Sequence, residues 1–193
     1  MKSSDRRNFI KKTALASVGF GLAGSTAGIS TRTEVAKGKR AGMIGLDTGH
    51  SVAFTKSLND PMAGDRYGGY KVVAAYPNGT DNILDWKNRI PEYTEEVKNH
   101  GVEIVNSIEK MLDKVDVVLL TCIDGNKHLE QALPVFKAGK RMFIDKPFAA
   151  SLSDAIAIVE AAKQYDVPMF SSSSLRYVEG GKEISGEKVG KVI

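Results

Sequence analysis

The sequence predicts an α/β domain built on a doubly wound parallel sheet. Three observations carry this: short apolar runs alternate with segments of helical period, six such runs fall between residues 40 and 172, and glycine or proline marks many of the junctions. The 193 residues, 42% of them hydrophobic, suffice for one good core, so one compact domain with tails is expected.

Residues 40–46, Arg-Ala-Gly-Met-Ile-Gly-Leu, read as the first strand and 51–58 as the first helix. Residues 59–69 contain Pro61, Gly64, Gly68 and Gly69 and read as a loop, followed by a second strand over 70–76. A helix over 91–100 has Pro91 in its first turn and Gly101 just past its end, the place each residue favours. A third strand over 102–105 precedes a short helix over 107–112, capped by the Ser107 hydroxyl. Residues 115–122 are nearly all apolar, as a central parallel strand buried on both faces requires. The helix over 128–138 closes at Gly139 and the fifth strand covers 141–144. In the helix over 153–165, Ala155, Ile156, Val159 and Ala162 recur at helical spacing, and 169–172 form the sixth strand. This order suits right-handed crossovers in a doubly wound sheet.

Charge excludes one class of partner. The chain is +4 overall with a pI near 9.0, but residues 1–33 carry +5, which leaves −1 for the remainder. A near-neutral body without a basic stripe is not a nucleic-acid binder. Cys122 is the single cysteine, so no intrachain disulfide forms; inside an apolar run it reads as a small core residue rather than a nucleophile. His50, His100 and His128 show no metal-ligand spacing with acidic or cysteine partners, so no metal is expected. There is no Ser-His-Asp set with a nucleophile-elbow pattern.

The chain opens with Ser4-Asp5-Arg6-Arg7-Asn8-Phe9-Ile10-Lys11-Lys12, followed by an uncharged stretch over 13–31. A charged segment leading into an apolar one is the layout of an export signal. Arg6-Arg7, with Phe9 and Ile10 after them, resembles a twin-arginine signal, an address read by the twin-arginine translocation machinery. Gly19, Gly21, Gly24 and Gly28 make the stretch a poor permanent membrane span. The expectation is an exported, periplasmic protein whose residues 1–33 are a signal, with cleavage between Thr26 and Lys37.

The turn after the first strand is Gly45-Leu46-Asp47-Thr48-Gly49-His50. A dinucleotide fingerprint asks for glycine at its first, third and sixth positions, and only Gly45 meets it. Gly49 is a candidate for restoring close approach through a shifted turn, with Thr48 and Ser51 offering hydroxyls at the helix N-terminus. A carboxylate at Asp47 beside a pyrophosphate costs binding, so it points away, pairs with His50, or marks a site that has lost its ligand. The second strand ends at Tyr76-Pro77-Asn78-Gly79 without the usual acidic residue; Asn78, or Asp81 reaching back, is the candidate for the ribose hydroxyls.

Two later stretches are more specific. Thr121-Cys122-Ile123-Asp124-Gly125-Asn126-Lys127-His128, then Ala138-Gly139-Lys140-Arg141-Met142-Phe143-Ile144-Asp145-Lys146-Pro147-Phe148-Ala149, closely resemble the Gfo/Idh/MocA oxidoreductases over residues 40 to 193. In that family the fourth strand ends in a Thr-Pro-Asn-like turn with a histidine at the next helix, and Glu-Lys-Pro-x-Ala follows the fifth strand. The departures are Asp145 for the glutamate, Asp124-Gly125 for the Thr-Pro step, and the altered glycine pattern. The resemblance implies a Rossmann domain over 34–180 that binds NAD or NADP, lined by Gly45 to His50, Asn78, Thr121, Asp124, Asn126, His128, Asp145 and Pro147. It implies Lys146 as the catalytic residue, with Pro147 fixing the turn that aims it. Arg176 matches a family position that either binds substrate or braces the link between domains.

Family members continue into a second α/β domain that supplies most substrate contacts; residues 181–193 read as its first strand, cut short. The expectation is therefore an NAD(P)-dependent oxidoreductase acting on a sugar or polyol, inactive as this fragment alone, with room for a homo-oligomer at full length. Two alternatives stand beside it: an NAD-dependent glycoside hydrolase of the same family, and a noncatalytic binding or scaffold protein with a degenerate cofactor site.

Overall fold

The computed structural model describes residues 38–179; the leader and the segment from 180 onward, with the readings made of them, lie outside these. Six parallel strands form one sheet in the order β3-β2-β1-β4-β5-β6. They are β1 (Arg40–Ile44), β2 (Lys71–Tyr76), β3 (Glu103–Ile104), β4 (Val117–Leu120), β5 (Arg141–Ile144) and β6 (Met169–Ser171). Each lies within the stretch expected of it; the ends were trimmed because apolar character outruns ladder pairing. The helices are α1 (Gly49–Asn59), α2 (Leu84–Lys87), α3 (Ile90–Asn99), α4 (Ile108–Leu112), α5 (His128–Lys137) and α6 (Leu152–Gln164). The single turn α2 was not anticipated, since four residues show no period.

Strand order dictates where the helices go. Crossovers run leftward from β1 to β3 and rightward from β4 to β6, so with one hand they place their helices on opposite faces. Val52, Tyr93 and Val97 of α1 and α3 pack on Ala41, Met43, Val72 and Ala75 on one face. Met111, Phe136 and Ile158 of α4, α5 and α6 pack on Ile44, Val118, Leu120 and Ile144 on the other. Ser107 caps α4 as expected, accepting from the Lys110 amide at 3.2 Å, and Ser151 caps α6 from the Asp154 amide at 3.0 Å.

The expectation that β4 is buried on both faces needs correction. Val118 and Leu120 are buried, but Val117 and Leu119 are half-buried, because among the described residues no helix lies over β4 to β6 on the α1 side. That half of the face is an open apolar cleft of about 860 Å³, walled by Leu119, Phe143, Met169 and Phe170 among others.

At the amino edge, Asp116 ties β4 to β1. Its carboxylate accepts from Arg40 Nε at 2.9 Å and Nη2 at 2.8 Å, and from the Gly38 and Arg40 amides at 2.9 and 3.1 Å. The Arg40 guanidinium, foremost, holds the carboxyl well below the usual carboxylate range despite partial burial. A depressed carboxyl stabilises the fold above its unfolded value and loses that contribution as pH falls toward the folded one. Asp116→Asn is therefore expected to cost about 1–3 kcal/mol at pH 7, the deficit shrinking below about pH 4. Urea melts of both proteins at pH 7 and pH 3 check it; a deficit that grows on acidification contradicts it.

Candidate functional site

Because all six strands are parallel, the segments that follow them meet at one edge. There lie the turn after β1, the loops after β2 and β4, the Asp145–Pro147 turn after β5, and the one-turn helix Ser174–Tyr177 after β6. Gly45 and Lys146 thus sit at the same end of the sheet. β1 and β4 are neighbours whose helices go to opposite faces, so the crevice between their carboxyl ends is the place where ligands of such sheets bind.

Gly45 is demanded by the turn. Its φ is +85°, and a Cβ there would lie 2.6 Å from both the Cα and the amide nitrogen of Cys122. Leu46 contributes backbone only: its amide donates to the Pro77 carbonyl at 2.9 Å and its side chain is fully buried. Thr48 caps α1, its Oγ1 accepting from the His50 amide at 3.4 Å. Gly49 is exposed, and a Cβ there would meet nothing nearer than the Tyr93 hydroxyl at 4.0 Å, so no packing within the described residues demands glycine. What it does is leave the N-terminus of α1 uncovered.

Asp47 turns away from the α1 N-terminus into the crevice, and its partner is not His50. Oδ2 accepts from the Thr80 amide at 2.7 Å and Oδ1 from the Ile123 amide at 3.1 Å, and the residue is wholly buried. Burial pushes its carboxyl above the ordinary range, against the opposing pull of the two amides. His50 instead meets Asp145, Nδ1 to Oδ2 at 2.5 Å, while Asp145 Oδ1 accepts from the Lys146 amide at 2.8 Å. A buried carboxylate on Nδ1 fixes the ring orientation and leaves Nε2, without a partner among the described residues, to give or take a proton. Lys146 is exposed, its ammonium likewise unpartnered among those residues, and its peptide bond to Pro147 is cis.

Three residues expected at the ligand have their side-chain polar atoms in hydrogen bonds within the protein. Thr121 is buried, its hydroxyl donating to the Ile44 and Gly45 carbonyls at 3.2 and 2.7 Å, so it clamps β4 to β1. His128 is buried, with the Cys122 carbonyl at 2.7 Å from Nε2 and the Phe148 carbonyl at 3.1 Å from Nδ1, so it joins two loops. Asp124 is buried, accepting from Thr80 Oγ1 at 3.1 Å and from the Asn126 amide and side chain at 3.0 and 2.9 Å. Burial raises its carboxyl, but these hydrogen bonds outweigh it and hold it below the usual range. Asn126 is exposed and spends its side-chain donor on Asp124. Asn78 stands exposed beside the Tyr76 hydroxyl at 3.2 Å, and Asp81 pairs with Lys127 at 2.7 Å rather than reaching back. Arg176, in the Ser174–Tyr177 turn, is exposed at the same edge.

Thr80 and Gly79 were missed, since nothing in the spacing shows that Asp47 reaches them. Gly125, noted only as a departure, lets the β4 loop touch the β5 loop: a Cβ there would lie 2.7 Å from the Ala150 amide. Cys122 is a core residue as read; burial, with the Asp47 carboxylate close by, pushes its thiol far up. Among the described residues no cluster of His, Cys, Asp and Glu is placed to hold a metal, and no helix is long and apolar enough to cross a membrane.

A six-stranded parallel sheet in this order, with a glycine turn after β1 and the strand order reversing between β1 and β4, defines a Rossmann domain. A family model described as the oxidoreductase family with NAD-binding Rossmann fold, Gfo/Idh/MocA, matches residues 39–172. This chain belongs to that family. Myo-inositol 2-dehydrogenase of Thermotoga maritima is 33% identical over 70 residues, 36% of this chain and 21% of that protein. WlbA dehydrogenase from Bordetella pertussis, solved with NADH and UDP-GlcNAcA, superposes with a TM-score of 0.59 at 19% identity, covering 78% of this chain and 42% of its own. An oxidoreductase from Agrobacterium radiobacter, solved with NAD+, L-tartaric acid and magnesium, gives 0.60 at 17% identity over 80% and 42%. The chain thus spans about a fifth of the length of the first and about two fifths of the other two.

Against the family's cofactor, the geometry divides. Gly45 and the open N-terminus of α1 suit a dinucleotide at this edge. Asp47 does not: it puts a carboxylate side chain at the turn position where glycine lets the backbone approach a pyrophosphate, so this turn does not fit one.

Proposed function

We propose that this chain is the dinucleotide-binding part of an exported oxidoreductase that interconverts a hydroxyl and a carbonyl on a sugar or polyol. The observation that carries the reading is the His50–Asp145 hydrogen bond, which ties the N-terminus of α1 to the turn presenting Lys146. An exposed ammonium and an oriented imidazole on turns joined through Asp145 suit alcohol chemistry: the ammonium stabilises oxygen as negative charge develops, and Nε2 takes or returns the hydroxyl proton. NAD, which the family binds, supplies the electron acceptor when bound. The substrate class rests on the names of relatives such as the inositol dehydrogenase and the UDP-GlcNAcA complex. Nicotinamide absorbance, followed as the protein meets polyols and sugars with NAD+ or NADP+, tests it; no turnover on any of them, with a domain completing the edge present, defeats it.

Asp47 favours a second reading, a noncatalytic binding or scaffold protein that kept the fold while its glycine turn changed. NADH fluorescence separates the two, because a scaffold of this kind shows no NADH signal. For the leader, we propose export by the twin-arginine route, supported by the Arg6-Arg7 pair and the uncharged stretch after it. Replacing both arginines by lysine is expected to hold the protein in the cytoplasm on fractionation; unchanged export excludes that route.

A further inference from the structure

The cleft over β4, β5 and β6 leaves a broad apolar face without a partner among the described residues. Leu119 lies in register with Phe143, and Phe143 with Phe170, so the three form one band across the strands. Phe170 is 64% exposed although it stands in a strand. Apolar surface of this extent marks a place where something packs. The chain has a segment rooted beside it. β6 is the edge strand of the open half, and the chain leaves its carboxyl end through the Ser174–Tyr177 turn, where Leu175 and Tyr177 are exposed. Residues 180–193 follow. Even at the helical rise of about 1.5 Å per residue they span about 20 Å, against about 13 Å for the four residues of β5, so they reach from the carboxyl edge to the amino edge. They bring Ile184, Val189, Val192 and Ile193 for apolar contact, and Glu183 and Glu187 opposite in sign to Arg141 of the cleft wall. The other face of these strands is already filled, Phe136 of α5 and Ile158 of α6 packing there with Met142 and Ile144.

We propose that residues 180–193 fold back from the carboxyl end of β6 into this cleft and cover β4 to β6, so that they close this domain and are not the first strand of a second one. Tethering selects this occupant over others of like chemistry. A segment joined a few residues from the cleft wall has an effective concentration of about millimolar there, which a second copy of the chain in dilute solution does not reach. The inference concerns a face of the sheet and stands apart from the dinucleotide reading. It still bears on the candidate site, because the rings of Phe170, Phe143, Phe54 and His50 form a row with successive centroids 5.1, 6.0 and 5.7 Å apart. What packs on Phe170 and Phe143 therefore backs the His50 imidazole as well.

A nitroxide attached to Ser57→Cys in the full chain tests the proposal. Ser57 is exposed on the α1 wall of the cleft and Cys122 is buried, so the label goes to position 57. The expected result is loss of the Ile184 and Val189 amide signals from the spectrum of the isotope-labelled chain, with recovery once the nitroxide is reduced. Signals that persist overturn the proposal. A mixture of nitroxide-bearing chains without isotope and isotope-labelled chains without nitroxide separates the occupants: loss of the same signals there puts the segment on a second copy and also overturns it. Should Ser57→Cys fail to fold, an apolar fluorescent dye decides on the native chain and on Ile184→Asp/Val189→Asp. The dye is expected to stay dark with the first and to brighten with the second; equal brightness in the two overturns the proposal.

Discussion

Gly45→Ala is expected to destabilise the domain by about 3–5 kcal/mol, a large part of the stability of a domain this size. Two costs add. The residue has φ +85°, where a side chain costs about 1–2 kcal/mol. Its new Cβ would also overlap the backbone of Cys122 at 2.6 Å, and that backbone is pinned by the Thr121 amide on the Ile44 carbonyl at 2.8 Å and by His128 on the Cys122 carbonyl. The overlap therefore pushes β4 off β1 at the mouth of the crevice. Gly139→Ala is the control, with φ +65° and nothing within 4 Å of its Cβ, so it carries the first cost alone. Urea melts of the two variants measure the difference. A loss for Gly45→Ala no greater than for Gly139→Ala shows that close approach to β4 is not what selects glycine.

Lys146→Met should do the reverse, lowering kcat about 100- to 1000-fold in a protein that carries its substrate domain, while stability stays within about 0.5 kcal/mol. The side chain is exposed and makes no hydrogen bond or ion pair among the described residues, so its removal orphans no buried partner. What is lost is charge facing an oxygen that becomes alkoxide-like, an interaction stronger in the transition state than in the bound substrate. That predicts equal losses in kcat and kcat/KM with KM little changed. A kcat within about twofold of wild type, less than about 0.5 kcal/mol, removes Lys146 from the chemistry.

The two variants differ because their neighbours differ, and the sequence shows only part of that. The alternation of apolar runs and helical periods was enough for the six strands, the helices between them and the doubly wound class, because a parallel sheet with one crossover hand leaves little choice. Short motifs likewise carried the family. Roles at the edge were another matter. Thr121, Asp124 and His128 looked like ligand contacts by position, yet each spends its polar atoms on neighbouring loops.

By itself the chain of residues determined a doubly wound sheet and an altered glycine turn, both set by local pattern and crossover geometry, while the lysine came from the family resemblance. Only the tertiary structure decided which partner each side chain takes. Asp47 lies 33 residues from Thr80 and 76 from Ile123, and His50 lies 95 from Asp145. Pairings over such separations follow from where folding brings strand ends together in space, a quantity no local period encodes.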